Sequence, residues 1–264
     1  MISSIIAAAL MVGLAGLLIG AFLGIAGIKF KVEVDEKEEA VLGTLPGNNC
    51  GGCGFPGCAG LAAAIAKGEA PVNACPVGGE EVGAKIASIM GVESVAGVRK
   101  VAYVACQGSC DKAGSDYEYT GIEDCRMLSF VPNGGAKSCS YGCLGYGNCV
   151  KACPFNAIHV VDGVAVVDKE ACKACGKCVD ACPKKLISLI PYDAKYMVAC
   201  SSHDKGVDTM KACTAGCIGC TLCKKNCPHD AVNIDAFCAS IDPEKCQGCG
   251  ICAEKCPKKS IVEH

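Results

Sequence analysis

The side chains with chemistry to offer are cysteines, which make up 26 of the 264 residues, and their spacing is patterned. Cys217-x2-Cys220-x2-Cys223-x3-Cys227-Pro228 recurs as Cys246-x2-Cys249-x2-Cys252-x3-Cys256-Pro257. Cys172, Cys175, Cys178, Cys182 and Pro183 repeat it once more. In such a run three closely spaced thiolates bind three irons of one [4Fe–4S] cubane, and the fourth Cys reaches across to a neighbouring cluster. Cys217, Cys220, Cys223 and Cys256 therefore form one expected ligand set, and Cys246, Cys249, Cys252 and Cys227 the other. The chemistry implied is one-electron transfer.

This double run is that of the bacterial two-cluster ferredoxins, and a second such module lies upstream. Its first half is altered to Cys139-x3-Cys143-x5-Cys149-x3-Cys153-Pro154, and alignment puts Tyr146 where the later module has Cys220. Cys139 is the nearest substitute. The expected sets here are Cys139, Cys143, Cys149 and Cys182, and Cys172, Cys175, Cys178 and Cys153. A further array, Cys50-x2-Cys53-x4-Cys58-x16-Cys75, is rich in Gly, which lets backbone N–H groups turn toward cluster sulfurs. Four Cys also suit structural zinc, but zinc sites usually come as paired CxxC knuckles. A compact triplet with one distant Cys reads better as a [4Fe–4S] cradle.

These sets use twenty ligands for five clusters and leave Cys106, Cys110, Cys125, Cys200, Cys213 and Cys238. YVAC ending at Cys106 resembles YMVAC ending at Cys200, and the KSC at Cys139 resembles the KAC at Cys213. Each ferredoxin module is thus preceded by a strand ending in Cys. Cys106, Cys110 and Cys125, with Cys200 or Cys213, could hold a sixth cluster, or they could be small buried hydrophobes. Cys238, inside FCASI, reads as structural.

The elements that must position these thiols are short. Ile158–Val161 and Val164–Val167 read as a hairpin around Asp162-Gly163. Asp168 and Asp242 precede the next Cys turns as candidate helix caps, and residues 61–68 read as a short helix. Trp is absent and aromatics are only 5%, so large apolar side chains are scarce and the clusters must crosslink the fold. No charge occurs from Met1 to Ile28, a run long enough to cross a bilayer as a helix. With no basic segment before it and Lys29 and Lys31 after it, the run reads as a retained anchor with the C-terminal bulk in the cytoplasm. In a reducing compartment so many thiols point to metal, not disulfides. Gly16, Gly20 and Gly24 form a small-residue stripe suited to packing on another membrane helix.

The formal net charge is −2, which indicates no nucleic-acid partner. Bound clusters would make it more negative, at about −2 per four-thiolate site. Lys184-Lys185, Lys224-Lys225 and Lys258-Lys259 offset that charge beside the ligands and could face an acidic ferredoxin. His159, His203, His229 and His264 lack ligand spacing. No nicotinamide, flavin or Walker motif appears. The expected class is α+β, with an N-terminal transmembrane helix (1–28) and a small [4Fe–4S] domain (29–98). Two tandem 2[4Fe–4S] ferredoxin modules follow (99–192 and 193–264).

A single spanning helix, then LPGNNCGGCGFPGC with its distant Cys75, then ferredoxin modules: this order resembles the iron–sulfur B component of the Rnf membrane electron transport complex over essentially the whole chain. The resemblance implies an iron–sulfur subunit of an enzyme complex, a translocase coupling ferredoxin oxidation to NAD⁺ reduction and Na⁺ or H⁺ movement. Reduced ferredoxin would be the donor, other subunits would hold flavin and NAD, and membrane lipid would surround the anchor in the cell (inner) membrane. The chain itself has no expected catalytic residue. A membrane-anchored polyferredoxin serving another redox enzyme, such as a hydrogenase, is the alternative.

Overall fold

The computed structural model describes residues 2–29, 35–93 and 97–264, with backbone only at 2–5, 7–9, 12, 26–29 and 129. Lys31 and Glu33 of the expected anchor flank lie outside the described residues. Helix α1 (Ile2–Lys29) is 28 residues long, and its described side chains, Leu10, Leu14, Leu17 and Phe22 among them, are exposed. Gly16, Gly20 and Gly24 face open space. The expected span is not confirmed here: among the described residues no helix is long and apolar enough to cross a membrane.

The acidic stretch after α1 begins a helix. Asp35 caps α2 (Glu36–Thr44) by accepting from the Lys37 N–H at 2.9 Å, and Glu36, Glu38 and Glu39 in its first turn suit the positive helix end. Asp35 with Glu38 three residues on is the sequence signal that announces this start. Helix α2 packs with α3 (Gly57–Ala66) and α4 (Gly79–Met90). Val41, Leu61, Ile65 and Ile86 are almost fully buried in this small core.

The rest is built twice. Strand β1 (Lys100–Val104) is followed by two short 3₁₀ turns at Met127–Phe130 and Pro132–Gly134. Then come α5 (Asn148–Ala152), the hairpin β2 (Ile158–Val161) and β3 (Val164–Val167), α6 (Lys177–Ala181) and β4 (Ile187–Pro191). The second copy has β5 (Tyr196–Val198), α7 (Gly206–Ala212), α8 (Leu222–Lys225), the hairpin β6 (Val232–Asp235) and β7 (Cys238–Ile241), α9 (Ile251–Glu254) and β8 (Ile261–Glu263). In each copy the leading strand pairs antiparallel with the last, β1 with β4 and β5 with β8, beside its hairpin. The β2–β3 hairpin has the expected bounds. Asp168 and Asp242 cap turns and not helices: each accepts from the N–H two residues on, at 2.9 and 3.0 Å.

The two copies share a close approach. Gly145 and Gly219 sit at equivalent places in the Cys loops, with φ of 82° and 64°. A Cβ there would lie 2.8 Å from the Gly163 and Phe237 carbonyl oxygens of the facing hairpin turns. Gly219→Ala is expected to destabilise the second module by about 2–4 kcal/mol, combining left-handed strain with overpacking. Thermal unfolding of the holoprotein measures this; an unchanged midpoint would refute the close approach.

Candidate iron–sulfur centres

Local geometry around the Cys-Pro corners is the same four times. The residue three after each Cys (Asn156, Lys185, Asp230, Lys259) takes φ near 50°. The next N–H then points back at the Cys sulfur. Ala157, Leu186 and Ala231 donate to Sγ of Cys153, Cys182 and Cys227 at 3.4 Å, and Ser260 to Cys256 at 3.3 Å. Hairpin strands supply more donors: Ala165 to Cys143 and Ala239 to Cys217, both at 3.4 Å. Strand β1 sends the Ala102 N–H to Cys172 at 3.4 Å, and Gly78 donates to Cys75 at 3.3 Å. Such N–H groups stabilise a thiolate, and a metal-bound sulfur is the acceptor they suit.

The thiols gather as sets. Burial pushes Cys223 up to about 11, and Cys217, Cys220 and Cys256 beside it push the same way. Burial likewise raises Cys252, next to Cys246, Cys227 and Cys249. It holds Cys178 at about 12, among Cys172, Cys175 and Cys153. Cys75 is raised by burial and by Cys58 and Cys53. Neutral thiols crowded in this way need a cation to ionise together, and cluster iron would supply it. Among the described residues no three His, Cys, Asp or Glu side chains form a group able to hold a single metal ion. The fit to iron–sulfur clusters rests on the recurring N–H···Sγ bonds and the gathered thiols.

Cys50 belongs with its array but also touches the next one. Cys175 is raised by burial, then by Cys50, Cys153 and Cys172. A Cβ on Gly52 would lie 2.6 Å from the Cys175 carbonyl oxygen. The first Cys array and the Cys172–Cys178 loop are therefore in direct backbone contact.

The altered half-module has a further thiol close to it. Cys149 is raised to about 11 by burial and by Cys143, Cys125 and Cys182, and Cys125 stands beside these thiols. Asn148, buried beside Cys149, holds it there: its Oδ1 accepts from the Cys125 N–H at 2.9 Å, and its Nδ2 donates to Asp124 Oδ1 at 2.8 Å. Cys139 instead faces Cys106 and Cys200, which with burial raise its pKa. Tyr146 packs edge-on against Tyr119, with ring centroids 5.9 Å apart. Spacing could not have found Cys125, because the segment carrying it is an insertion with no counterpart in the second copy.

Cys110 is exposed and stands by the Gly163 turn. Cys238 is buried between two sets, its thiol donating to the Cys200 carbonyl at 3.3 Å. It also lies against the Cys200 and Cys217 sulfurs, and its hydrogen bonds bring both down to about 6. In return it is itself raised. A thiol so placed stays protonated, in keeping with a structural role.

Family models place a "putative Fe-S cluster" at residues 45–77, "4Fe-4S dicluster domain" matches at 135–184 and 171–232, and a "4Fe-4S binding domain" at 239–262. The chain is 46% identical, over 94% of its length and 74% of the relative's, to the B component of the Na⁺-translocating ferredoxin:NAD⁺ oxidoreductase complex of Acetobacterium woodii. It is 44% identical, over 88% of both chains, to the B component of the ion-translocating oxidoreductase complex of Methanosarcina acetivorans. A proton-translocating counterpart from Clostridium ljungdahlii is 39% identical over 88% of this chain and 82% of its own.

Proposed function

Because the chain belongs to the B-component family of ion-translocating ferredoxin:NAD⁺ oxidoreductase (Rnf) complexes, we propose that its Cys sets form one path from reduced ferredoxin to the partner subunits. It is the iron–sulfur electron-transfer subunit of such a complex, with several 4Fe–4S domains. Bound [4Fe–4S] clusters supply the one-electron chemistry. The residues that hold them are Cys50, Cys53, Cys58 and Cys75; Cys172, Cys175, Cys178 and Cys153; Cys143, Cys149 and Cys182 with Cys125; Cys217, Cys220, Cys223 and Cys256; and Cys246, Cys249, Cys252 and Cys227.

The single observation that carries the path is adjacency. Gly52 seats the first array on the Cys175 loop, and the two modules meet where Gly114 donates to the Ala212 carbonyl and Thr214 to that of Lys112. Reduced ferredoxin docks on the second module, where Cys220 and Cys249 are exposed and the exposed side chains of Lys224, Lys225, Lys255 and Lys259 offer positive charge to an acidic partner. The Cys50–Cys75 array, next in the chain to α1, delivers to the membrane subunits. Helix α1 anchors the chain as a single pass with residues 29–264 on the cytoplasmic side. Supporting that, 28 helical residues reach about 42 Å, no charge precedes Lys29, and large apolar side chains are exposed along it. The units divide at 28, 98 and 192.

Cys75→Ser in the whole complex tests the direction. Ferredoxin-driven bleaching of the distal clusters is expected to persist while NAD⁺ reduction falls to background. Retained NAD⁺ reduction would take this array out of the path.

A further inference from the structure

Seven thiols, Cys139 among them, stand outside the regular ferredoxin runs and the first array, and the fold sorts them. A cavity at the seam of the two copies is lined by Cys106, Cys139, Cys200 and Cys213. Each copy contributes two, from equivalent positions. Cys106 and Cys200 lie two residues beyond the ends of β1 and β5. Cys139 and Cys213 lie four residues before Cys143 and Cys217. The copies meet here through backbone: Gly114 donates to the Ala212 carbonyl at 3.0 Å, and Thr214 to that of Lys112 at 2.8 Å.

The sulfurs of the first pair are solvated by backbone as the motif ligands are. Cys106 Sγ accepts from the N–H groups of Gly108 and Cys143, both at 3.4 Å. Cys200 Sγ accepts from Ser202 at 3.5 Å and Cys217 at 3.2 Å. The pattern is the same in both copies. Gly108 lies between two of the thiols: a Cβ there would be 3.6 Å from both Cys106 Sγ and Cys213 Sγ. Lys137, also on the cavity, donates from Nζ to the Gly108 and Gly163 carbonyls at 2.7 and 2.8 Å and brings a positive charge to the site.

We propose that Cys106, Cys139, Cys200 and Cys213 hold a sixth [4Fe–4S] cluster, built half from each ferredoxin module, at the point where the two modules join. The inference rests on the electron path proposed above and deepens it. Two of the N–H groups that reach its sulfurs belong to Cys143 and Cys217, members of the flanking sets on either side. Cys139 is thereby assigned to the seam, and Cys125 completes the Cys143 set. Cys110 and Cys238 remain unligated.

Iron and acid-labile sulfide per chain, with zinc alongside, test it on anaerobically purified full-length protein. About 24 irons are expected, at four for each of six sites; about 20 would overturn the sixth site while leaving the electron path standing. Stoichiometric zinc with little iron would overturn both. Cys213→Ala is expected to lower the iron count and change the EPR spectrum of the reduced protein, with Cys110→Ala unchanged in both. A full count in Cys213→Ala, or an iron loss in Cys110→Ala, would refute the assignment, and the wild-type count decides if the variant does not fold.

Discussion

Gly52→Leu is expected to abolish most ferredoxin-dependent NAD⁺ reduction while leaving the iron content of the protein intact. A Cβ at Gly52 would lie 2.6 Å from the Cys175 carbonyl oxygen and 3.0 Å from its Cα. Both contacts are backbone, so neither can swing aside as a side chain could. Either the Cys50 loop or the Cys175 loop must retreat. Cys50, Cys53, Cys58 and Cys75 stay together, because their loop is held by the α2–α3–α4 core and by Asn49, whose Oδ1 accepts from the Cys58 N–H at 2.8 Å. What opens is the joint between the arrays. Overpacking of this kind costs about 1–3 kcal/mol, which shifts the equilibrium between seated and separated arrays by about 5- to 150-fold. The matched measurements are iron per chain and ferredoxin:NAD⁺ activity of the assembled complex. Full activity would show that the Gly52–Cys175 contact does not lie on the path, and lost iron would show that the substitution damaged a cluster instead of a joint.

Removing iron is the second large effect, and it should divide the molecule. In the two modules the buried apolar residues form separate small clusters, and Cys sulfurs pack among them. Burial keeps Cys149, Cys178 and Cys223 well above the ordinary thiol range, so without metal each set reverts to neutral thiols with no bond between them. Metal binding in such sites is folding free energy, about 10–16 kcal/mol where a structural zinc has been measured. Residues 36–90 are different, since Val41, Leu61, Ile65 and Ile86 form a three-helix core of ordinary apolar side chains. Anaerobic chelation followed by limited proteolysis is expected to digest residues 99–264 and spare a fragment near 36–90. Protease resistance across 99–264 in the iron-free chain would mean that apolar packing, and not metal, holds the modules.

Local chemistry is legible in the sequence wherever ligand and turn sit within one short run. The Cys-x2-Cys-x2-Cys-x3-Cys-Pro spacing specifies its own corner geometry: the fourth Cys is turned by Pro, the residue three after it takes a positive φ, and an N–H returns to its sulfur. That is a property of consecutive dihedrals, so no distant contact is needed to read it. The β2–β3 hairpin around Asp162-Gly163 is of the same kind, as is the doubling of the module. Helix α4 and the packing of α2 on α3 are not legible in this way, because the apolar positions that define that core are spread over three separate segments.

The choice between Cys139 and Cys125 lies beyond sequence. Nearness along the chain points to Cys139, and spacing gives no sign of Cys125. In the fold the insertion after Cys110 folds back to set Cys125 beside Asn148, while pairing of the two copies turns Cys139 toward Cys106 and Cys200. Spacing alone is enough to say which thiols bind metal in runs and to which family the chain belongs. Which isolated thiols meet depends on long-range packing, since four single cysteines spread over more than a hundred residues become one set only when two repeats close against each other.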